Sequence, residues 1–242
     1  MAVKIPFRQA AWLPLPDRGG YGEGMTDIDP ERALMLAYVP ADRRPAIAAL
    51  WALDHRLGMV LSTTTEPAIG AIRLVWWRDA LRRLDQADAP AEPLLREVAE
   101  RLLPHLPGAM LASLAEGWGA VIDDDQDEDA YARHGVERGA TLFAAAAIVL
   151  GGNPDAVRAI GAGWALVDLA YGTRDPVLRE AALDAARRAL AEWDGRVPRV
   201  LRPLGMLGML ARIDAAAGPD GERRPGAPGR VARMMRYRIF GR

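Results

Sequence analysis

The stretch from Ala48 to Leu81, AALWALDHRLGMVLSTTTEPAIGAIRLVWWRDAL, decides the fold. Its first half sets Leu50, Leu53, Leu57, Val60 and Leu61 at three- and four-residue steps, and its second half does the same with Ile69, Ile72, Val75 and Trp76. That period belongs to helices that bury one face each. Between the halves, the hydroxyls of Ser62 to Thr65 compete with the helix for backbone groups. Pro67 then suits the first turn of a new helix with Thr65 as its cap. The reading is a helical hairpin, 43–62 and 66–84.

Outward from the hairpin the same period persists. Asp29-Pro30-Glu31 is a helix start, with a cap, a proline at the first position and an acid in the first turn, so a helix is predicted from Pro30 to Tyr38. Further helices are predicted at 92–103, 108–122, 127–150, 154–171, 176–193, 198–216 and 228–239, separated by Pro, Gly or Asp clusters. No alternating strand pattern and no fixed-period repeat occurs. The fold class is all-α, a single-domain helical bundle, because long helices on short turns pack antiparallel. Residues 1–28, where Gly and Pro cluster without period, read as an irregular arm, residues 29–217 as the helical domain and 218–242 as a loop with a basic last helix.

Composition narrows the chemistry. The 242 residues are half apolar with a net charge of −1, so bulk charge argues against a nucleic-acid partner. There is no cysteine, which removes disulfides, thiolate nucleophiles and Cys-held metals. His55, His105 and His134 are the only imidazoles and their spacing fits no metal motif. The longest apolar run, Ala140 to Leu150, is about half of what a membrane span requires. A cytoplasmic protein, at most peripheral to a membrane, is expected.

The order of the hairpin pieces, ALWALD, a Ser/Thr break, Glu66-Pro67 and then IRLVWWRDAL from Ile72 to Leu81, resembles the squalene/phytoene synthase family. The resemblance continues through LAEGWG (Leu114 to Gly119), YARHGVERGATLF (Tyr131 to Phe143) and IGAGWALVDLA (Ile160 to Ala170). It implies an isoprenoid-synthase bundle around a central space. Active members join two prenyl diphosphates head to head, with Mg²⁺ held by aspartate-rich motifs on facing helices. In this chain the first motif falls near Gly58, Met59 and Ser62, and the second near Ala165, Asp168 and Gly172. Gly and Met supply no side-chain oxygen to a hard cation. The missing aspartates and the WWRDAL segment are similar to a branch containing a respiratory complex I assembly factor.

Two functions from different classes follow from that resemblance. One is a non-catalytic scaffold for a protein complex or an anionic membrane surface, with no cofactor. The other is a prenyl-diphosphate transferase dependent on Mg²⁺. An apolar isoprenoid-like ligand suits either.

Candidate residues can be placed more closely. Asp54 shares a helical face with Leu50, Leu57 and Leu61, and Asp168 with Gly161, Trp164, Ala165 and Tyr171. Buried carboxylates require partners. Arg73 and Arg138 sit on otherwise apolar helices, so Asp54, Arg73, Arg138 and Asp168 are expected to form a buried polar network. The competing reading is separate ion pairs. Trp51, Trp76, Trp77 and Trp164 are core residues or line a ligand pocket. The acidic run Asp123 to Asp129 reads as a solvated helix start, and no residue is assigned to catalysis or to a metal. His55, beside Asp54, reads as structural. On the last helix, Arg230, Arg233, Met234, Arg236, Tyr237 and Phe240 are expected to present a basic, apolar surface to a membrane or partner. The loop 218–229 is expected to leave that helix free to move.

Overall fold

Helix starts are written into the chain as Asp or Asn followed by Pro, and the side chains cap as that pattern requires. Asp29 Oδ1 accepts from Glu31 N at 2.8 Å and Arg32 N at 3.2 Å, Asn153 Oδ1 from Asp155 N at 3.0 Å and Asp175 Oδ1 from Val177 N at 2.8 Å. The computed structural model describes residues 29–64, 66–122 and 128–242. The expected cap Thr65 and the acidic residues 123–127 lie outside the described residues, as does the arm 1–28.

The described residues are helical and contain no strand. The helices are α1 (Pro30–Ala37), α2 (Arg44–Thr63), α3 (Pro67–Arg83), α4 (Pro93–Arg101), α5 (Gly108–Gly119), α6 (Glu128–Arg133), α7 (Thr141–Val149), α8 (Arg158–Gly172), α9 (Pro176–Ala191), α10 (Arg202–Ala217) and α11 (Pro228–Phe240). α6 and α7 are one rod, joined without a break by a π-helical segment, His134–Ala140. The predicted helix 127–150 is therefore continuous but not α throughout. Gly151, at φ 76°, ends the rod, and Gly152 N donates to Ala147 O at 2.8 Å.

The core forms where α2, α5, α7 and α8 meet, with α9 and α10 closing the far side of α8. Trp51 meets Phe143 and Trp164 edge to face there, while Phe143 and Trp164 are tilted against each other, with ring centroids 5.2 to 6.0 Å apart.

The hairpin has the expected helices, but α3 is turned. Its buried face is Gly70, Leu74, Trp77, Ala80 and Leu81, whereas Ile69, Ile72, Val75 and Trp76 are 45 to 69% exposed. The small side chains decide this orientation. A Cβ on Gly70 would lie 2.5 Å from Cδ1 of Ile122, just past α5, and one on Gly108 would lie 2.2 Å from Leu81 O, so α3 and α5 meet along a seam that glycines keep narrow. Asp85 fastens the seam, its carboxylate accepting from Gly108 N at 2.6 Å and Ala109 N at 2.9 Å.

The last helix also departs from expectation. Arg230, Met234 and Tyr237 are buried, at the i, i+4, i+7 spacing of one helical face, so α11 packs into the bundle against α10 instead of standing free. Only its opposite side, with Arg233, Arg236, Ile239 and Phe240, meets solvent.

Candidate functional site

Glycines bring three helices close enough to enclose one side chain. A Cβ on Gly117 of α5 would lie 2.4 Å from Arg138 N, and a Cβ on either Gly139 or Gly161 would lie 2.2 Å from the other's carbonyl oxygen. The π segment is thus clamped between α5 and α8 at backbone distance, and Arg138 projects into the centre of the bundle. Such segments, with i→i+5 bonding, recur at functional positions.

Asp54 from α2 and Asp168 from α8 receive the guanidinium. Arg138 Nε donates to Asp54 Oδ1 at 2.8 Å and Nη2 to Asp54 Oδ2 at 3.0 Å, while Nη2 also donates to Asp168 Oδ2 at 2.7 Å. Its remaining nitrogen, Nη1, faces His134 Nε2 at 3.2 Å. The plane lies over Trp118, 3.8 Å from the ring centroid, and Trp118 Nε1 donates to Asp54 Oδ1 at 3.0 Å. Arg138 and Asp54 are 1% exposed, whereas Asp168 keeps 24% of its side-chain surface. Bidentate and planar, this contact is one a lysine cannot reproduce.

The charges follow from the partners. Burial opposes ionisation of Asp54, but the Arg138 charge and its hydrogen bonds outweigh burial and hold the carboxyl below its ordinary value. Asp168 behaves alike under Arg138, Arg32 and Arg223. Arg138 is held above its ordinary value by the two carboxylates against the opposing effect of burial. His134 goes the other way: burial, then the adjacent Arg138 charge, push it down to about 3, so the ring is neutral near pH 7. The proton is assigned to Nδ1, which lies 2.8 Å from the carbonyl of Gly117, and Nε2 is left to accept from Arg138.

The network continues outward. Arg32 Nη2 lies 3.6 Å and Arg223 Nη1 3.9 Å from Asp168 Oδ1, and Arg223 Nε lies 3.5 Å from Asp214 Oδ2. Asp214 in turn shares Arg230 with Glu31. Arg230 Nε donates to Glu31 Oε1 at 2.5 Å, Nη2 to Glu31 Oε2 at 3.0 Å and to Asp214 Oδ2 at 2.9 Å, and Nη1 bonds Asp214 Oδ1. Four arginines and four carboxylates form one chain of contacts from α2 to α11.

Little room is left beside it. The central cavity measures about 10 Å³ between Trp164, Arg32, Asp214 and Arg223, enough for about one water molecule. The larger concavity, about 350 Å³, is an open surface groove between α9 and α10 lined by Leu190, Trp193 and Arg212.

Of the expected network, Asp54, Arg138 and Asp168 come together and Arg73 does not. Arg73 is exposed on the outer side of α3, where Nη1 donates to Thr64 Oγ1 at 3.1 Å, because the glycine seam turns that helix. Trp51, Trp77 and Trp164 are core residues, while Trp76, 48% exposed, lies outside the core against the edge of Trp77. His55 is exposed. Arg32, His134, Arg223 and the pair Glu31 and Asp214 join the network without having been assigned to it. Their signal was the helical face: His134 stands four residues before Arg138, and Asp214 four and seven residues after Leu210 and Leu207.

The profile of the squalene/phytoene synthase family matches residues 25–170, more than half of the chain and all of the network except Asp214, Arg223 and Arg230. The chain belongs to the squalene/phytoene synthase family. Comparison with curated proteins and with solved structures returned no match. The all-α bundle is the isoprenoid-synthase-like fold of that family.

Family membership raises the question of Mg²⁺, and the residues at the motif positions do not fit it. A Cβ on Gly58 would lie 2.9 Å from the Trp118 ring, so a carboxylate there would displace the indole. Ser62 Oγ donates to Met59 O at 3.2 Å. Asp168, the one acid at those positions, faces a guanidinium. Among the described residues no three His, Cys, Asp or Glu side chains converge as a metal requires.

Proposed function

We propose that this member of the squalene/phytoene synthase family is a non-catalytic scaffold, which binds or assembles other components and needs no cofactor. The observation that carries this reading is the Arg138 guanidinium between Asp54 and Asp168, on the facing helices where Mg²⁺ and diphosphate would have to sit. Ionisation of a prenyl diphosphate requires positive charge delivered to the leaving oxygens. The charge of Arg138 is already matched by two carboxylates and shielded from solvent. Trp51, Phe143 and Trp164 pack against one another in the core, which supports a filled rather than an open central space. Fold alone does not decide function, so the support is chemical. The partner is a protein complex, respiratory or membrane-associated, as in the assembly-factor branch that the WWRDAL segment resembles.

The test is incubation of the full chain with farnesyl or geranylgeranyl diphosphate and Mg²⁺, with released diphosphate measured. No release above the protein-free blank is expected. Turnover would establish the prenyl transferase instead, and its abolition in Asp168→Asn would place the reaction in the central site.

A further inference from the structure

Two acid-free segments meet at one end of the bundle. Neither Gly195 to Ile213 nor Arg223 to Arg242 contains an Asp or Glu, in a chain whose 31 Lys and Arg are matched overall by 32 Asp and Glu. Arg202 brings them together: its Nη1 donates to the carbonyls of Ile239 at 2.8 Å and Arg238 at 3.2 Å, closing the C-terminal end of α11. Beside this junction Ile239 is 60%, Phe240 64% and Val200 40% exposed.

Arg199, Arg233 and Arg236 are exposed around those apolar side chains and take part in no ion pair among the described residues. Arg238 Cζ stacks over Tyr38 at 5.3 Å, and its Nε is buried without a hydrogen-bond partner. Several surface arginines elsewhere are answered: Arg82 by Glu116, Arg187 by Glu180 and Asp184, and Arg188 by Glu128. At this end unpaired guanidiniums and exposed apolar side chains therefore lie together on segments that carry no acid.

We infer that the end of α11, with Arg199 and Val200 beside it, is a docking surface for an anionic lipid bilayer. Charge complementarity selects the partner. Guanidiniums surrounding an apolar tip match a layer of phosphates over hydrocarbon, with Phe240 and Ile239 entering and Arg233 and Arg236 held at the headgroups. Because Met234 and Tyr237 anchor the opposite face of α11, the surface is presented rigidly and does not need to fold on contact.

The experiment is sedimentation of the full chain with phosphatidylcholine vesicles and with vesicles that also contain phosphatidylglycerol. Binding is expected only to the second kind, falling as salt rises. Arg233→Gln with Arg236→Gln is expected to weaken it about 30-fold, from roughly a fivefold loss, about 1 kcal/mol, for each charge near the surface. Ile239→Ser with Phe240→Ser is expected to weaken it roughly tenfold. All four residues are exposed, so thermal midpoints should be unchanged. The inference is overturned if the intact chain ignores anionic vesicles at low salt, or if both variants bind as tightly as the parent. Capture of polyglutamate without capture of vesicles would equally overturn it, in favour of an acidic protein segment.

Discussion

Arg138 and Arg230 are the same chemical unit set in two different surroundings. Each is a guanidinium gripping two carboxylates, Asp54 and Asp168 in one case and Glu31 and Asp214 in the other. Arg138 is 1% exposed, roofed by Trp118 and His134, and clamped by glycine seams; Arg230 keeps 11% of its side-chain surface and lies under the last helix. The partners of Arg138 stand 84 and 30 residues away in sequence, whereas Glu31 and Arg230 are 199 apart. The first unit fills the middle of the bundle and sets the spacing of its central helices. The second ties one end of the described chain to the other. An identical motif therefore works as a filler where no water can reach and as a fastener where a little can.

The contrast is most sharply tested by removing each guanidinium. Arg138→Met leaves two carboxylates in the interior, one of them fully buried, and should cost about 3–5 kcal/mol in urea unfolding. Adding Asp54→Leu should restore part of that loss; additive losses would show that the pair is not coupled. Arg230→Met should cost less, about 2–3 kcal/mol, because the stranded acids can recruit solvent. It should also release α11, so that a protease cuts between Gly218 and Gly229 faster than in the parent. Equal cleavage would mean that Met234 and Tyr237 hold the helix alone.

Acid should separate the two regions as well. Between the ordinary 6.5 of a free ring and the value of about 3 in the fold, the unfolded chain takes up a proton at His134 that the folded chain refuses. Stability therefore falls as pH drops through that window, by up to about 1.4 kcal/mol per pH unit. Asp54 and Asp168, both held below their ordinary values, add to the loss only below the normal carboxylate range, where the unfolded chain protonates first. His134→Gln should flatten the upper part of the profile. No substitution at Arg230 should do so, since its cluster contains no histidine, and a slope that survives His134→Gln would remove His134 as its source.

The smallest effects lie in the glycines. Gly139→Ala pushes a methyl group against the Gly161 carbonyl and should cost about 1–3 kcal/mol, whereas Gly229→Ala, with nothing within 4 Å of the new atom, should stabilise α11 by about 0.5–1 kcal/mol. Opposite signs in thermal midpoint are the readout.

How far the sequence could be read depended on whether one helical face held the answer. The buried Asp54 and Arg138 were legible because an ionised residue sharing a stripe with leucines or alanines must have a partner. Arg73 misled because α3 carries two apolar stripes. Counting large side chains selects the Ile69, Ile72 and Trp76 stripe, whereas close approach selects the Gly70, Leu74 and Trp77 stripe. Arg230 misled for a related reason. Six arginines near the end of the chain look like a solvated face, yet the spacing of Arg230, Met234 and Tyr237 already marked one of them as internal. The π segment had no signature, because the same residues satisfy an α-helical period.

That segment gives the chain a length constraint. A turn bonded i→i+5 holds about one residue more than the α-turn it replaces, so the rod from Glu128 to Val149 contains a residue that an unbroken α-helix would not need. Deleting any one residue between His134 and Ala140 would let the rod return to ordinary winding without turning what lies beyond it, whereas keeping that residue in an unbroken α-helix would turn everything beyond it through about 100°. The alanines and Phe143 of α7 would then face away from Trp51 and Trp164. A relative whose rod is wound evenly should therefore be one position shorter here, and a gap of one at this place in an alignment would mark the point where the family's central helix was rewound to admit an arginine.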